Sequence, residues 1–400
     1  MNNDIILIIL LILVAEAGIY TISSYSKRIR GLFEKIGVEV GMFIFLIKKR
    51  SALDILDRVR GRWINFLIWI GVAVMIISMI LFYYGVYLLG LRYVIDLIKS
   101  LVIGERMPSS TPPITPIIPG VTISGVDILY IAIAIGIAAA LHELGHAIAA
   151  KISNVNIKSY GVGIFLIMPL AFVEVDENSM LSSKIRAVKI LSAGVLMNMI
   201  LFIISFVLII SILFLLPFAG VIQGAVISQV EVDSPAYRAG ISPGLLITSI
   251  NGTPIYTLDN FLKFRSVIMS SENITLNISG IYPNGTRVDL LVYKPANTSR
   301  IGVVFDGLYI PLANVFIAAL VKHYDNGYSR FWLLEDLLRL LIWINIINIS
   351  FAVINAAPLY ITDGGKFVSI IAPRRVSELV QIVTIAGFIM IFAASIINYI

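Results

Sequence analysis

The chain has 400 residues, 58% of them hydrophobic and 14% charged, with a formal net charge of +6 and a mean hydropathy of +0.95. A soluble domain carries about 45–50% apolar and about 25% charged residues, so the composition excludes an ordinary soluble protein. It predicts a polytopic α-helical membrane protein with one embedded soluble portion. The chain has no cysteine, which excludes disulfides, a thiol nucleophile and cysteine-ligated metal; its basic residues cluster beside apolar runs as cytoplasmic anchors do, not as a nucleic-acid surface does.

In chain order, the apolar run from Ile5 to Val14 is followed by Ala15-Glu16-Ala17, which resembles a signal-peptide cleavage site. The residues before the run include an acid and no lysine or arginine, so the run reads as an uncleaved first span with its amino terminus outside. Lys27, Arg28, Arg30, Lys48, Lys49, Arg50, Arg58, Arg60 and Arg62 place residues 25–63 in the cytoplasm. Within that stretch Val38 to Ile47 is β-like, and Ser51-Ala52-Leu53-Asp54 resembles a capping box opening a short surface helix. Ile64 to Leu88 reads as the second span, Leu89 to Met107 as an interfacial helix, and Ser109 to Gly120, with four prolines, as an extended outer connection. Val126 to Ala150 is the third span.

Tyr160 to Val175 is apolar but too short to cross as a helix, and its glycines and Pro169 predict a hairpin or re-entrant loop turning near Met168. Val188 to Leu216 is the fourth span. From Val221 to Asp306 the polarity becomes ordinary, with β-branched alternation and glycosylation-type triplets at Asn273-Ile274-Thr275 and Asn297-Thr298-Ser299. This reads as a small soluble domain, placed outside by the span count. Gly307 to Arg330 is a connection, Phe331 to Ile354 the fifth span and Val376 to Ile400 the sixth. The expected divisions are 1–125, an N-terminal membrane region; 126–216, the first part of a membrane core; 217–308, the extracytoplasmic domain; and 309–400, the second part of the core.

The chemistry concentrates in Leu141-His142-Glu143-Leu144-Gly145-His146, inside the third span. Histidines four apart share one helix face and can bind one ion, and the intervening Glu143 can reach a water on it. Ionisable groups at lipid depth mark function by default, and this segment holds two of the chain's three histidines. The third, His323, reads as a loop residue. A catalytic zinc site needs three protein ligands; the carboxylates to weigh are Glu174, Asp176, Glu335 and Asp363. Asp363 stands out because Asn355-Ala356-Ala357-Pro358 ends the fifth span and Gly364-Gly365 permit a tight turn at the same depth.

With these two motifs in order, the chain resembles the site-2 proteases, intramembrane zinc metalloproteases that cut membrane-spanning helices. Ala193-Gly194-Val195-Leu196-Met197-Asn198 and a domain inserted between the fourth and fifth spans add to the resemblance. Asp233-Ser234-Pro235-Ala236-Tyr237-Arg238-Ala239-Gly240 makes that domain similar to a PDZ domain, α/β in fold, with Gly224, Ala225, Val226 and Ile227 as its groove. The resemblance implies one Zn2+ held by His142, His146 and Asp363, with Glu143 as general base and acid. It also implies that Asn198 and Asn355 lie near the substrate, orienting it or stabilising the oxyanion. Val195 and Thr362 depart from the family pattern, where proline and leucine are common. The implied substrates are single-span membrane proteins in the bilayer, with peptide termini as candidate partners of the PDZ-like domain. A non-catalytic scaffold that binds peptides is the alternative, which the intact Glu143 argues against.

Overall fold

Long runs of isoleucine, leucine, valine and alanine form helices in lipid because each segment must satisfy its own backbone polar groups. The computed structural model describes residues 2–49, 56, 61–103, 114, 127–166, 168–215, 221–255, 260, 263–264, 266–267, 273–282, 284–296, 298, 300–306, 308–310, 315–317, 319–324, 327–330 and 332–397. The capping box at Ser51 and the proline-rich stretch from Ser109 lie outside the described residues, apart from Ile114 in the latter. Two units divide the chain, residues 1–205 with 343–400, and residues 206–342.

In the first unit, α1 (Asn2–Tyr25) and α2 (Lys27–Lys35) lead into strands β1 (Val38–Gly41) and β2 (Ile44–Lys49). Helix α3 (Arg62–Leu81) passes through a π-helical segment, Phe82–Leu88, into α4 (Leu89–Ile103). The expected interfacial helix is therefore a continuation of the second span. No proline interrupts residues 62–103, so nothing breaks the ladder. Next come α5 (Asp127–Ile152), β3 (Ile157–Phe165), β4 (Met168–Val175), the short α6 (Glu177–Leu181) and α7 (Lys184–Leu215). After the second unit's strands, α9 (Trp332–Ala356), α10 (Asp363–Ile371) and α11 (Arg374–Ile397) end the chain.

Among the described residues, five helices have the length and apolarity to cross a membrane: Arg62–Ile103, Asp127–Ile152, Lys184–Leu215, Asp336–Ala356 and Arg374–Ile397. The first expected span is helical as well, as α1. The packing is inverted relative to a soluble protein. Ser192, Asn198, Asn348, Gln381 and Thr384 are buried, whereas Trp63, Ile80, Ile203, Ile382 and Ile389 are exposed. Apolar side chains outside and polar ones inside suit hydrocarbon as solvent, and the chain is an integral membrane protein.

Small residues bring the helices together. Ala147, Ala149 and Ala150 of α5 are buried with Ala187 and Ala193 of α7, the close-approach chemistry of membrane helix pairs. At Gly145 a Cβ would stand 2.5 Å from the Ala193 carbonyl oxygen, so any other residue there would part α5 from α7. The expected hairpin is present as β3 and β4, turning between Phe165 and Met168. It joins the β-like stretch before α3 in one antiparallel sheet of order β1-β2-β3-β4, with β4 as a terminal strand.

The second unit has its own apolar core, including Ile227, Leu245, Ile247, Ile255, Leu276, Ile278 and Val292. Its strands are β5 (Val221–Val230), β6 (Leu246–Ile250), β7 (Thr253–Pro254), β8 (Ile274–Ile281), β9 (Arg287–Lys294) and β10 (Val303–Asp306), with helix α8 (Pro235–Arg238) capped by the Ser234 hydroxyl. The expected connection after Gly307 is instead strand-rich: β11 (Leu308–Ile310), β12 (Val315–Ile317), β13 (Ala319–Tyr324) and β14 (Gly327–Arg330). Strand β13 pairs with β5, so His323 lies on a strand and not in a loop.

Helix α10 starts where α9 ends, and two glycines make that possible. A Cβ on Gly364 would lie 2.0 Å from the Ala356 carbonyl oxygen, and one on Gly365 1.7 Å from that of Leu359. Both obstacles are backbone. Gly365→Ala is expected to cost more than the about 1–3 kcal/mol of ordinary overpacking, seen as a lowered thermal unfolding midpoint in detergent; an unchanged midpoint would contradict this docking.

Candidate metal centre

The site is assembled from three helices. His142 and His146 lie one turn apart on α5, so their rings share a face, and both are buried. Opposite them, the α9–α10 junction delivers Asp363. Thr362 is the N-cap of α10: its hydroxyl accepts from the Gly365 N–H at 3.2 Å and donates to the Ala357 carbonyl at 2.5 Å. The threonine that departs from the family pattern thus stitches the Pro358 turn to the helix carrying Asp363. From α11, Gln381 donates to the Gly365 carbonyl at 3.2 Å and to the Ser369 hydroxyl at 2.8 Å, fixing α10 from behind.

The donor atoms form a nearly equilateral triangle. His142 Nε2 is 3.0 Å and His146 Nε2 3.1 Å from Asp363 Oδ2, and the two Nε2 atoms are 3.1 Å apart. The other ring nitrogens fix the tautomers. His146 Nδ1 lies 2.7 Å from the Ile190 carbonyl, which can only accept. His142 Nδ1 lies 2.5 Å from Asn198 Oδ1; that side chain's amide donates to the Ala138 carbonyl at 3.1 Å and to Asn348 Oδ1 at 2.9 Å. In the neutral rings each Nδ1 therefore carries the proton and each Nε2 presents a lone pair. Two lone pairs and a carboxylate oxygen converge with no donor among them, an arrangement that calls for a cation.

The fit to zinc is direct. Bonds of about 2.0–2.2 Å to nitrogen and oxygen in a tetrahedral site put neighbouring ligands about 3.3–3.6 Å apart, slightly wider than the triangle observed. Gly194 of α7 keeps the space open, since a Cβ there would stand 2.6 Å from both Nε2 atoms. His142, His146 and Asp363 could hold a metal ion.

The other carboxylates weighed are committed elsewhere or lie outside the described side chains. Glu174 accepts from the Ser159 hydroxyl at 2.6 Å and pairs with Lys48 at 3.0 Å. That hydroxyl bond, then the lysine, holds its carboxyl below the usual range. Asp176 pairs with Lys158 at 2.9 Å; Glu335 falls on α9, its side chain not described. Glu143 is half-buried beside the triangle, and its carboxylate accepts the Val173 N–H of β4 at 2.8 Å.

Asn198 is not where the family pattern led us to expect it. It is fully buried behind His142, both amide functions engaged, and so reaches the imidazole and not a substrate. Asn355 keeps the substrate-side candidacy: it is half-buried and, among the described residues, makes no side-chain hydrogen bond. Gly224, Ala225, Val226 and Ile227 lie in β5, within the second unit, and their stretch is not an open groove. At Val226 both edges are taken, by Leu246 and by Asp306, while Gly224 pairs with Ala319. Neither Gly194 nor Asn348 was assigned a role from the sequence at the metal. The signal for Gly194 was its place one helical turn before Asn198 on the same face.

The sequence model of Peptidase family M50 matches residues 130–395, from α5 to the end of α11. The chain belongs to peptidase family M50. Among its relatives, the uncharacterized protein MJ0971 of Methanocaldococcus jannaschii is 34% identical over 176 residues, 43% of this chain and 44% of that protein. A membrane-bound transcription factor site-2 protease homolog of Arabidopsis thaliana is 28% identical over 172 residues, 42% of this chain and 33% of that protein. A Clostridium perfringens protein whose name proposes a zinc metalloprotease is 26% identical over 219 residues, 44% of this chain and 63% of that protein. The chain spans about half the length of the curated relatives it matches.

If Asn198 orients His142, Asn198→Ala should weaken metal binding about 10–100-fold, as loss of such partners does, measured by chelator competition. With metal saturating, KM for a substrate helix should be unchanged. A raised KM with intact metal affinity would return Asn198 to the substrate side.

Proposed function

We propose that this M50 member is a zinc-dependent intramembrane endopeptidase that cleaves membrane-spanning helices of single-span proteins. The observation that carries the reading is the buried triangle of two imidazoles and a carboxylate with Glu143 beside it. A zinc ion held by His142, His146 and Asp363 would supply Lewis acidity, lowering the pKa of a bound water toward about 7 and polarising the scissile carbonyl.

The chain's own residues do the rest. Glu143 Oε takes the proton of the attacking water and passes it to the leaving amine. The Val173 N–H holds that carboxylate toward the triangle until it is needed. Asn355, uncommitted at the end of α9, would donate to the developing oxyanion. A substrate helix has its carbonyls hydrogen-bonded and must unwind before attack. Strand β4 is terminal in its sheet, so an unwound segment could pair with it by strand addition. A substrate carbonyl aligned there would compete with Glu143 for the Val173 N–H.

The inserted residues 217–308 serve, in this reading, as a PDZ-like extracytoplasmic filter between the core segments 126–216 and 309–400, with residues 1–125 as the amino-terminal membrane region. Basic residues 27–62 put the metal nearer the cytoplasm. Since β5 is paired on both edges at Val226, the filter acts by size and not by capture of peptide termini at that stretch.

The test is cleavage of a labelled single-span helix by purified protein, with and without a chelator, beside Glu143→Gln. Cleavage should require metal and fall at least about 100-fold in the variant, while the variant keeps one zinc per chain. Cleavage that survives in Glu143→Gln, or peptide binding without cleavage in the zinc-loaded wild type, would overturn the reading.

A further inference from the structure

Between residues 217 and 306 the chain has six asparagines, and five of them begin an Asn-x-Ser/Thr triplet: Asn251, Asn273, Asn277, Asn284 and Asn297. Of the thirteen asparagines elsewhere, one does so, Asn348. Such triplets are the acceptor sequence for N-linked sugars on surface segments exposed outside the cell. This concentration in one unit is not a by-product of asparagine abundance, because asparagine is commoner in absolute number outside it.

We propose that the inserted unit is N-glycosylated, on the four triplet asparagines the structure describes: Asn251, Asn273, Asn277 and Asn284. All four are exposed. The side-chain hydrogen bonds of three of them run through Oδ1 and none through Nδ2. Asn251 Oδ1 accepts the Asn277 N–H at 2.8 Å, Asn273 Oδ1 the Ala296 N–H at 2.8 Å, and Asn284 Oδ1 the Thr286 N–H at 3.0 Å. A sugar on Nδ2 retains Oδ1 as an acceptor, so modification keeps every one of these bonds. In the reaction, Nδ2 attacks the anomeric carbon of a lipid-phosphate-linked oligosaccharide. A C–N bond forms as the C–O bond to phosphate breaks, its electron pair leaving with the phosphate. The amide proton passes to a base of the transferase, and nothing is oxidised or reduced.

The surface beside these acceptors explains what the sugar would do. Strand β9 ends its sheet, an exposed edge of the kind that invites aggregation. On its outer face Leu291 is 68% and Tyr293 57% exposed. Their partners across the hairpin are Asn277 and Thr275, so a glycan rooted at Asn277 or Asn273 lies over both side chains. Asn348, buried inside α9, cannot be reached and serves as an internal control.

This proposal rests on the outer placement of the unit and not on the peptidase reading. The full chain, purified from membranes of a host that has an N-oligosaccharyltransferase, is digested and its peptides weighed. Hexose-containing mass additions are expected on peptides carrying one or more of the four asparagines, with none on the Asn348 peptide. Thr286→Val should remove the addition at Asn284 while leaving that asparagine in place, and Asn277→Gln should remove the addition at its own site. Recovery of all four peptides at their unmodified mass, or an addition at Asn284 that persists in Thr286→Val, would overturn the proposal. Cleavage of a substrate helix with all four unmodified would overturn it while leaving the peptidase intact.

Discussion

Three electron-rich atoms, two imidazole Nε2 and one carboxylate oxygen, face each other at 3.0 to 3.1 Å inside a bundle whose outer face is made for lipid. Without a cation that cluster is repulsive, and water cannot relieve it as it would at a protein surface. The surrounding structure is arranged to enforce it. The Ile190 carbonyl and Asn198 fix where the imidazole protons lie, Asn348 backs Asn198, and Gln381 backs the helix that begins with Asp363. A polar network that is fully satisfied specifies one arrangement, and here that arrangement is a ligand set for a metal ion.

Close approach is the second requirement, and glycine supplies it at each contact. Gly145 lets α5 meet the backbone of α7, Gly194 leaves room between α7 and the two rings, and Gly364 and Gly365 let α10 fold against the end of α9. In each case the missing Cβ would strike a backbone oxygen or a ligand nitrogen, neither of which can move without displacing the site. The glycines inside the two sequence motifs are therefore as much part of the metal chemistry as the ligands. The same economy holds for Thr362, whose hydroxyl caps α10 and ties the proline turn to it.

Much of this was legible in the sequence. Histidines at positions i and i+4 must share a helix face, a proline followed by an Asp-Gly-Gly run must end one helix and allow another, and a short apolar stretch with glycines must turn. What was not legible depended on neighbours far away in the chain. Asn198 looked substrate-facing because only its motif was visible; its burial is set by Ala138 and Asn348, 60 and 150 residues distant. The continuity of α3 with α4 was missed because a π-helical segment has no sequence signal comparable to a cap or a proline. The pairing of β13 with β5 was missed for a similar reason: strand partners almost a hundred residues apart leave no local mark.

The central claim is that a metal sits on these three side chains, and X-ray absorption at the zinc edge of the purified full-length protein tests it most directly. The account predicts one zinc per chain with four nitrogen or oxygen neighbours at about 2.0–2.1 Å and outer-shell scattering from two imidazoles. The imidazole signature should fall by about half in His142→Ala, or be lost together with the zinc. A spectrum with six oxygen neighbours and no imidazole scattering, or one unchanged in that variant, would contradict it.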